Sequence, residues 1–143
     1  MAPSFQLSKS LTSARHRTGG WHSVAAVAAG GLVGSAARTG IGVWIPTPEA
    51  GFPIGVVVIN LTGSLFLGFY LARRERAIGR RTSLQFWAIG MLGSFTTFST
   101  FSVDLLQMLA AGRPLVASSY LGVSVLGGLG LALAGQRIGA AMP

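Results

Sequence analysis

Every residue from 94 to 102 is either a hydroxyl carrier or a phenylalanine: Ser94, Phe95, Thr96, Thr97, Phe98, Ser99, Thr100, Phe101 and Ser102. Asp104 follows one turn beyond Phe101. Phe98 and Phe101 are three apart and share a helical face, a spacing that most often marks core packing. The polar surround opens a second reading. Phenyl edges carry partial positive charge, so rings set edge-on among hydroxyls can coordinate a small anion without a fixed cation that holds it too tightly. Conduction needs such sites, favourable enough to enter and weak enough to leave.

These residues sit inside an apolar segment, 84–111, long enough to cross a bilayer. Two glycines three apart (Gly90, Gly93) and then the Thr96-Thr97 pair make a weak point for helical backbone. Irregular backbone at membrane depth survives only where protein covers it or where it lines a polar cavity. The stretch therefore reads as a broken transmembrane helix, with the departure from helix between Gly93 and Thr97.

Other polar residues lie within apolar runs. Asn60, Ser64 and Gly68 recur at intervals of four; Asn60 either glues helices together or lines a pore as a donor. Tyr120 and Ser124 are also four apart. Tyr120 belongs either to an interfacial aromatic belt or, turned inward, to a track of donors with Ser124. Gly30, Gly34 and Arg38 form a small-residue groove leading to a guanidinium, which either snorkels to the interface or holds a helix end at a vestibule. Asp104 is either a vestibule carboxylate or simply interface-facing.

Composition agrees with this placement. Half of the 143 residues are hydrophobic, a tenth are charged and 21 are glycine, with a mean hydropathy of +0.60. A soluble domain carries about a quarter charged residues. The net charge of +8 does not indicate nucleic acid, because the arginines fall between apolar segments rather than along one face. With no cysteine there is no disulfide or thiolate site. The three acidic residues (Glu49, Glu75, Asp104) are scattered, and His16 and His22 lie in or beside the N-terminal stretch. Nothing pairs a nucleophile with a base, so the chain reads as a non-enzyme.

The elements that must position these residues are four apolar segments at 23–44, 53–72, 84–111 and 114–135, each sufficient for a span. Residues 1–22 read as a disordered cytoplasmic tail and 23–138 as one transmembrane domain. Prolines 46, 48 and 53 separate the first two helices, Thr82 or Ser83 can cap the third, and Gly112-Arg113-Pro114 closes it and opens the fourth. Lys9, Arg15, Arg17, Arg73, Arg74, Arg76, Arg80, Arg81 and Arg137 fall on one side and Arg113 on the other. The rule of positive loops inside then predicts N-in and C-in.

The motifs Gly30-Gly-Leu-Val-Gly-Ser-Ala-Ala-Arg38, Val58-Ile-Asn-Leu-Thr-Gly-Ser64 with Phe66-Leu-Gly68, and Gly93-Ser-Phe-Thr-Thr-Phe-Ser-Thr-Phe-Ser102 resemble, in order, those of the Fluc (CrcB) fluoride channel family. The similarity runs over about 24–138. It implies an all-α membrane protein of the bacterial cytoplasmic (inner) membrane, with four transmembrane helices per subunit, a break in the third, and an antiparallel dual-topology-type dimer with two pores that exports fluoride passively. Under it, Phe98 and Phe101 look like the pore phenylalanines, Asn60 like the pore asparagine, and Tyr120 and Ser124 like the fourth-helix track. Arg38 matches the arginine of the first motif. Gly93 and Thr96 fall where backbone carbonyls of both subunits hold a central structural Na⁺. Family members often have glutamate where this chain has Asp104. The charge asymmetry departs from dual insertion and favours a heterodimer with an oppositely oriented paralogue over a homodimer. Two other functions stay open: a proton-coupled fluoride or small-anion exporter, and a non-conducting partner subunit.

Overall fold

The computed structural model describes residues 20–47, 51–76 and 81–142, and among these every regular element is helical. Four spans are long and apolar enough to cross a membrane. Helix α1 (Trp21–Trp44) is the first and α2 (Ile54–Arg76) contains the second. The third is composite: α3 (Arg81–Leu84), a π-helical stretch Gln85–Leu92, α4 (Gly93–Phe95) and α5 (Phe98–Ala110). The fourth lies in α6 (Pro114–Ala141).

The spans outrun the hydropathy at their charged ends. α2 continues through Arg73, Arg74 and Arg76 rather than stopping at 72, and α6 continues through Arg137 to Ala141 rather than stopping at 135. Arginine is a good helix former, so leaving the apolar stretch does not end the helix. At the other end α1 already contains Trp21 and His22. Residues 1–19, with Lys9, Arg15, His16 and Arg17, lie outside the described residues, as do Pro48, Glu49 and Arg80.

Thr82 and Ser83 do not cap the third span, because both lie inside α3. The Ser83 hydroxyl instead pairs with the Tyr70 hydroxyl at 2.9 Å and ties the start of this span to α2. Gly112 does close α5. Its φ of 70° is one that glycine adopts freely. The Arg113 N–H reaches the Met108 carbonyl (2.9 Å) and the Gly112 N–H the Leu109 carbonyl (3.0 Å), a Schellman closure. Pro114 then starts α6 at its first position.

Two helix pairs make the bundle: α2 with α6, and α1 with the first half of the third span. Both rely on backbone approaching backbone. A Cβ on Gly34 would fall on the Met91 carbonyl, and one on Gly68 on the Ala132 carbonyl. Such contacts replace the hydrophobic effect as the cohesive force between helices in lipid. Gly34→Ala and Gly68→Ala should each cost about 1–3 kcal/mol by overpacking. Gly40→Ala, inside α1 where a Cβ meets nothing within 4 Å, should hold or slightly raise the unfolding midpoint of the detergent-solubilised protein. Equal midpoints for all three variants would refute this packing.

Candidate functional site

The third span leaves helix at Thr96 and Thr97, whose backbones are extended (φ/ψ −73°/156° and −142°/121°). The expected position is corrected at its upstream edge: Gly93 is helical, with φ −65° and ψ −29°, and only the threonine pair departs. The two glycines sit instead in and just after the π-helical stretch. There Gly90 lets the backbone close on α1, a Cβ at that position lying 2.6 Å from the Val27 carbonyl oxygen.

Asn60 is what holds the departure in place. Its Oδ1 accepts from the Thr97 N–H at 2.8 Å and its Nδ2 donates to the Thr97 carbonyl at 3.0 Å. In a continuous helix that N–H would bond the Gly93 carbonyl. One step on, the Thr100 N–H donates to Thr97 Oγ1 at 3.2 Å, where a helix would have used the Thr96 carbonyl. The Gly93 and Thr96 carbonyls thus both lose their helical partners to side chains. Oxygen atoms released in this way suit a hard monovalent cation, so the residues present fit the Na⁺ site implied above.

Thr97 is also the N-cap of α5 and is buried. It satisfies only the third N–H of that helix; those of Phe98 and Ser99 make no hydrogen bond among the described residues. A helix N-terminus with open N–H groups carries partial positive charge and favours anions. Sequence reading missed this end of α5, although Thr97 three residues before Thr100 is a capping signal.

Beside the break lies an open cavity of about 350 Å³. Asn60, Gly93, Thr96, Phe98, Phe101 and Ser124 line it, with Leu67, Leu92 and Val125 as apolar wall. Three helical units of distant sequence therefore meet there: α2, the broken span and α6. Phe98 is 80% exposed at the cavity, while Phe101 is buried against it. Their ring centroids are 6.0 Å apart. Ser124 Oγ is buried with no hydrogen-bond partner, which leaves a polar atom on an otherwise apolar stretch of wall. Several other hydroxyls are committed locally: Ser64 to the Asn60 carbonyl (2.8 Å), Thr96 to Leu92 (3.0 Å) and Ser102 to Phe98 (2.9 Å).

The remaining residues singled out in the sequence lie off this cavity. Tyr120 is fully buried beneath it, 5.0 Å from the Phe101 ring and 5.7 Å from Phe52, so it does not face outward in an aromatic belt. Its hydroxyl donates to Asp104 Oδ2 in a long contact of 3.4 Å. Arg38 is half-buried on α1, one turn past Gly34, and does not line the cavity.

This arrangement can be compared with known proteins. A family model, CrcB-like protein, Camphor Resistance (CrcB), matches residues 25–136. The chain belongs to the CrcB family. It is 40% identical over 111 residues to the fluoride-specific ion channel FluC of Oceanobacillus iheyensis, covering 76% of this chain and 84% of that one. It is likewise 40% identical over 118 residues to the fluoride-specific ion channel FluC of Stutzerimonas stutzeri, covering 79% and 93%. A third relative, fluoride-specific ion channel FluC 2 of Symbiobacterium thermophilum, is 40% identical over 121 residues, covering 80% and 95%. CrcB membership makes this chain a multi-pass membrane protein of a non-enzyme family, and its four spans agree.

Proposed function

We propose that this chain forms a passive fluoride-selective channel of the bacterial cytoplasmic membrane, oriented N-in and C-in, that lets fluoride leave the cytoplasm. The observation that supports it most is the meeting, at one cavity, of the Asn60-held break, the Phe98 and Phe101 rings and the unpartnered Ser124 hydroxyl. Fluoride would shed water onto the open N–H groups at the start of α5 and onto ring edges. Neither is a full charge, so release stays easy.

Two features favour a second subunit. Phe98 is 80% exposed on the isolated chain, and Gly93, Ser99 and Thr100 are exposed beside it at mid-span. Hydroxyls and freed carbonyls in that position need protein or water rather than lipid. An antiparallel dimer would cover them, giving two pores. It would also complete the shell of a structural Na⁺ held by the Gly93 and Thr96 carbonyls. The arginine asymmetry favours a heterodimer with a paralogue, and numbered relatives such as FluC 1 of Streptomyces coelicolor fit a family with several copies.

The test is fluoride-electrode efflux from proteoliposomes, with this chain alone and with a co-expressed paralogue. Flux should persist without a pH gradient, and Asp104→Asn should still conduct, because Asp104 lies off the cavity. A strict requirement for a proton gradient would favour a proton-coupled exporter instead. No flux in either preparation would leave the chain a non-conducting subunit.

A further inference from the structure

A second cavity, of about 320 Å³, lies between α2 and the third span. Phe66, Phe69, Trp87, Met91, Leu92 and Phe95 line it, and its wall presents no polar atom. Phe66 and Trp87 are about half exposed, at 56% and 47%, so the groove opens sideways into the membrane. Tyr70 stands at one end, where its hydroxyl meets that of Ser83.

The stretch joining the two walls of the groove, residues 73–81, carries five arginines against one glutamate, Glu75. On the continuous helix α2, Arg73 follows Phe69 by four residues and Arg74 follows Tyr70 by four, so both residues lie one turn beyond the groove lining on that helix. Arg73 donates to the Met142 carbonyl at 3.1 Å; Arg74 is half-buried beside it. Its lining on the third span runs from Trp87 to Phe95, a rise of at most about 12 Å, or less than half of the ~30 Å hydrocarbon core. The groove therefore runs from the arginine-bearing end of α2 toward the departure at Thr96 and Thr97.

We propose that this groove is a binding site for one anionic phospholipid, with an acyl chain between Phe66, Trp87 and Met91 and the phosphate at Arg74. A basic rim over an apolar cleft between spans is the combination that selects such headgroups, and guanidinium pairs with phosphate through two parallel hydrogen bonds. Leu92 lines both cavities, so the bound chain backs the wall of the first. The site does not depend on what passes through that first cavity.

Trp87 reports on its own surroundings once Trp21 and Trp44 are replaced by phenylalanine. This chain, reconstituted in phosphatidylcholine, is titrated with phosphatidylglycerol or phosphatidylcholine brominated in mid-chain, and Trp87 quenching is followed. Brominated phosphatidylglycerol should bind about fivefold more tightly, the factor equivalent to about 1 kcal/mol for one arginine near an anionic lipid. Arg74→Lys, which keeps the charge but not the paired hydrogen bonds, should retain only part of the preference, and Arg74→Gln should abolish it. Equal quenching by both lipids in the parent chain would reduce the groove to ordinary lipid contact and overturn the proposal. Absence of quenching by either would mean that a second copy or another protein covers the groove, and would overturn it equally.

Discussion

Phe98→Ile and Phe101→Ile should each lower fluoride efflux by at least about tenfold, the change that about 1.4 kcal/mol at the barrier produces. Isoleucine keeps the bulk and apolarity of the position and removes only the ring edge. The two variants differ in what they do to the fold. Phe98 is 80% exposed on the isolated chain, so its loss should move the stability of the unpaired subunit by no more than about 0.5 kcal/mol. Phe101 is buried and stacks at a tilt on Tyr120, with centroids 5.0 Å apart; its loss should cost about 1 kcal/mol as well. A drop in flux with Phe98→Ile at unchanged unfolding midpoint thus isolates the ring edge from packing. Retained flux in both variants would defeat the assignment of these rings to a conduction path and return them to plain core.

The second large effect concerns Asn60. Its amide closes a two-point clamp on the Thr97 backbone, at 2.8 and 3.0 Å. Asn60→Ala leaves one N–H and one carbonyl without partners at membrane depth, at a cost of about 1–3 kcal/mol each. The expected result is a lower unfolding midpoint, faster amide exchange at Thr97 and loss of flux together. If Asn60 served only as a donor to a passing anion, flux would fall while midpoint and exchange stayed at the parent values. Asn60→Asp separates the two further. A carboxylate can still accept from the Thr97 N–H but faces the Thr97 carbonyl with like charge, so the clamp should open on that side alone.

The four spans and the residues with unusual chemistry were readable from the sequence, because membrane crossing depends on length and hydropathy, and these are local. The weak point near Gly93 was readable for the same reason, since hydroxyls and glycines in mid-span have a local cost. Its position was not. Whether Gly93 or Thr97 leaves the helix depends on which N–H finds a better acceptor than a carbonyl four residues back, and that acceptor, Asn60 Oδ1, is 37 residues away. The helix ends differ from the hydropathy bounds for a related reason: hydropathy marks where lipid ends, and the backbone of α2 and α6 continues past it.

What the chain's own residue order determined was the menu: four spans, a flawed third one, and a set of hydroxyls, rings and one asparagine that lipid alone would not retain. Only tertiary structure decided which of them meet. It brought Asn60, Phe98, Phe101 and Ser124 to one cavity and set Tyr120 beneath it against Asp104. It left Arg38 on another helix. Helical periodicity fixes which face a residue occupies, but the partner of that face is set by close approaches such as Gly34 to Met91 and Gly68 to Ala132. Those are contacts between distant segments, and no periodicity within one segment can specify them.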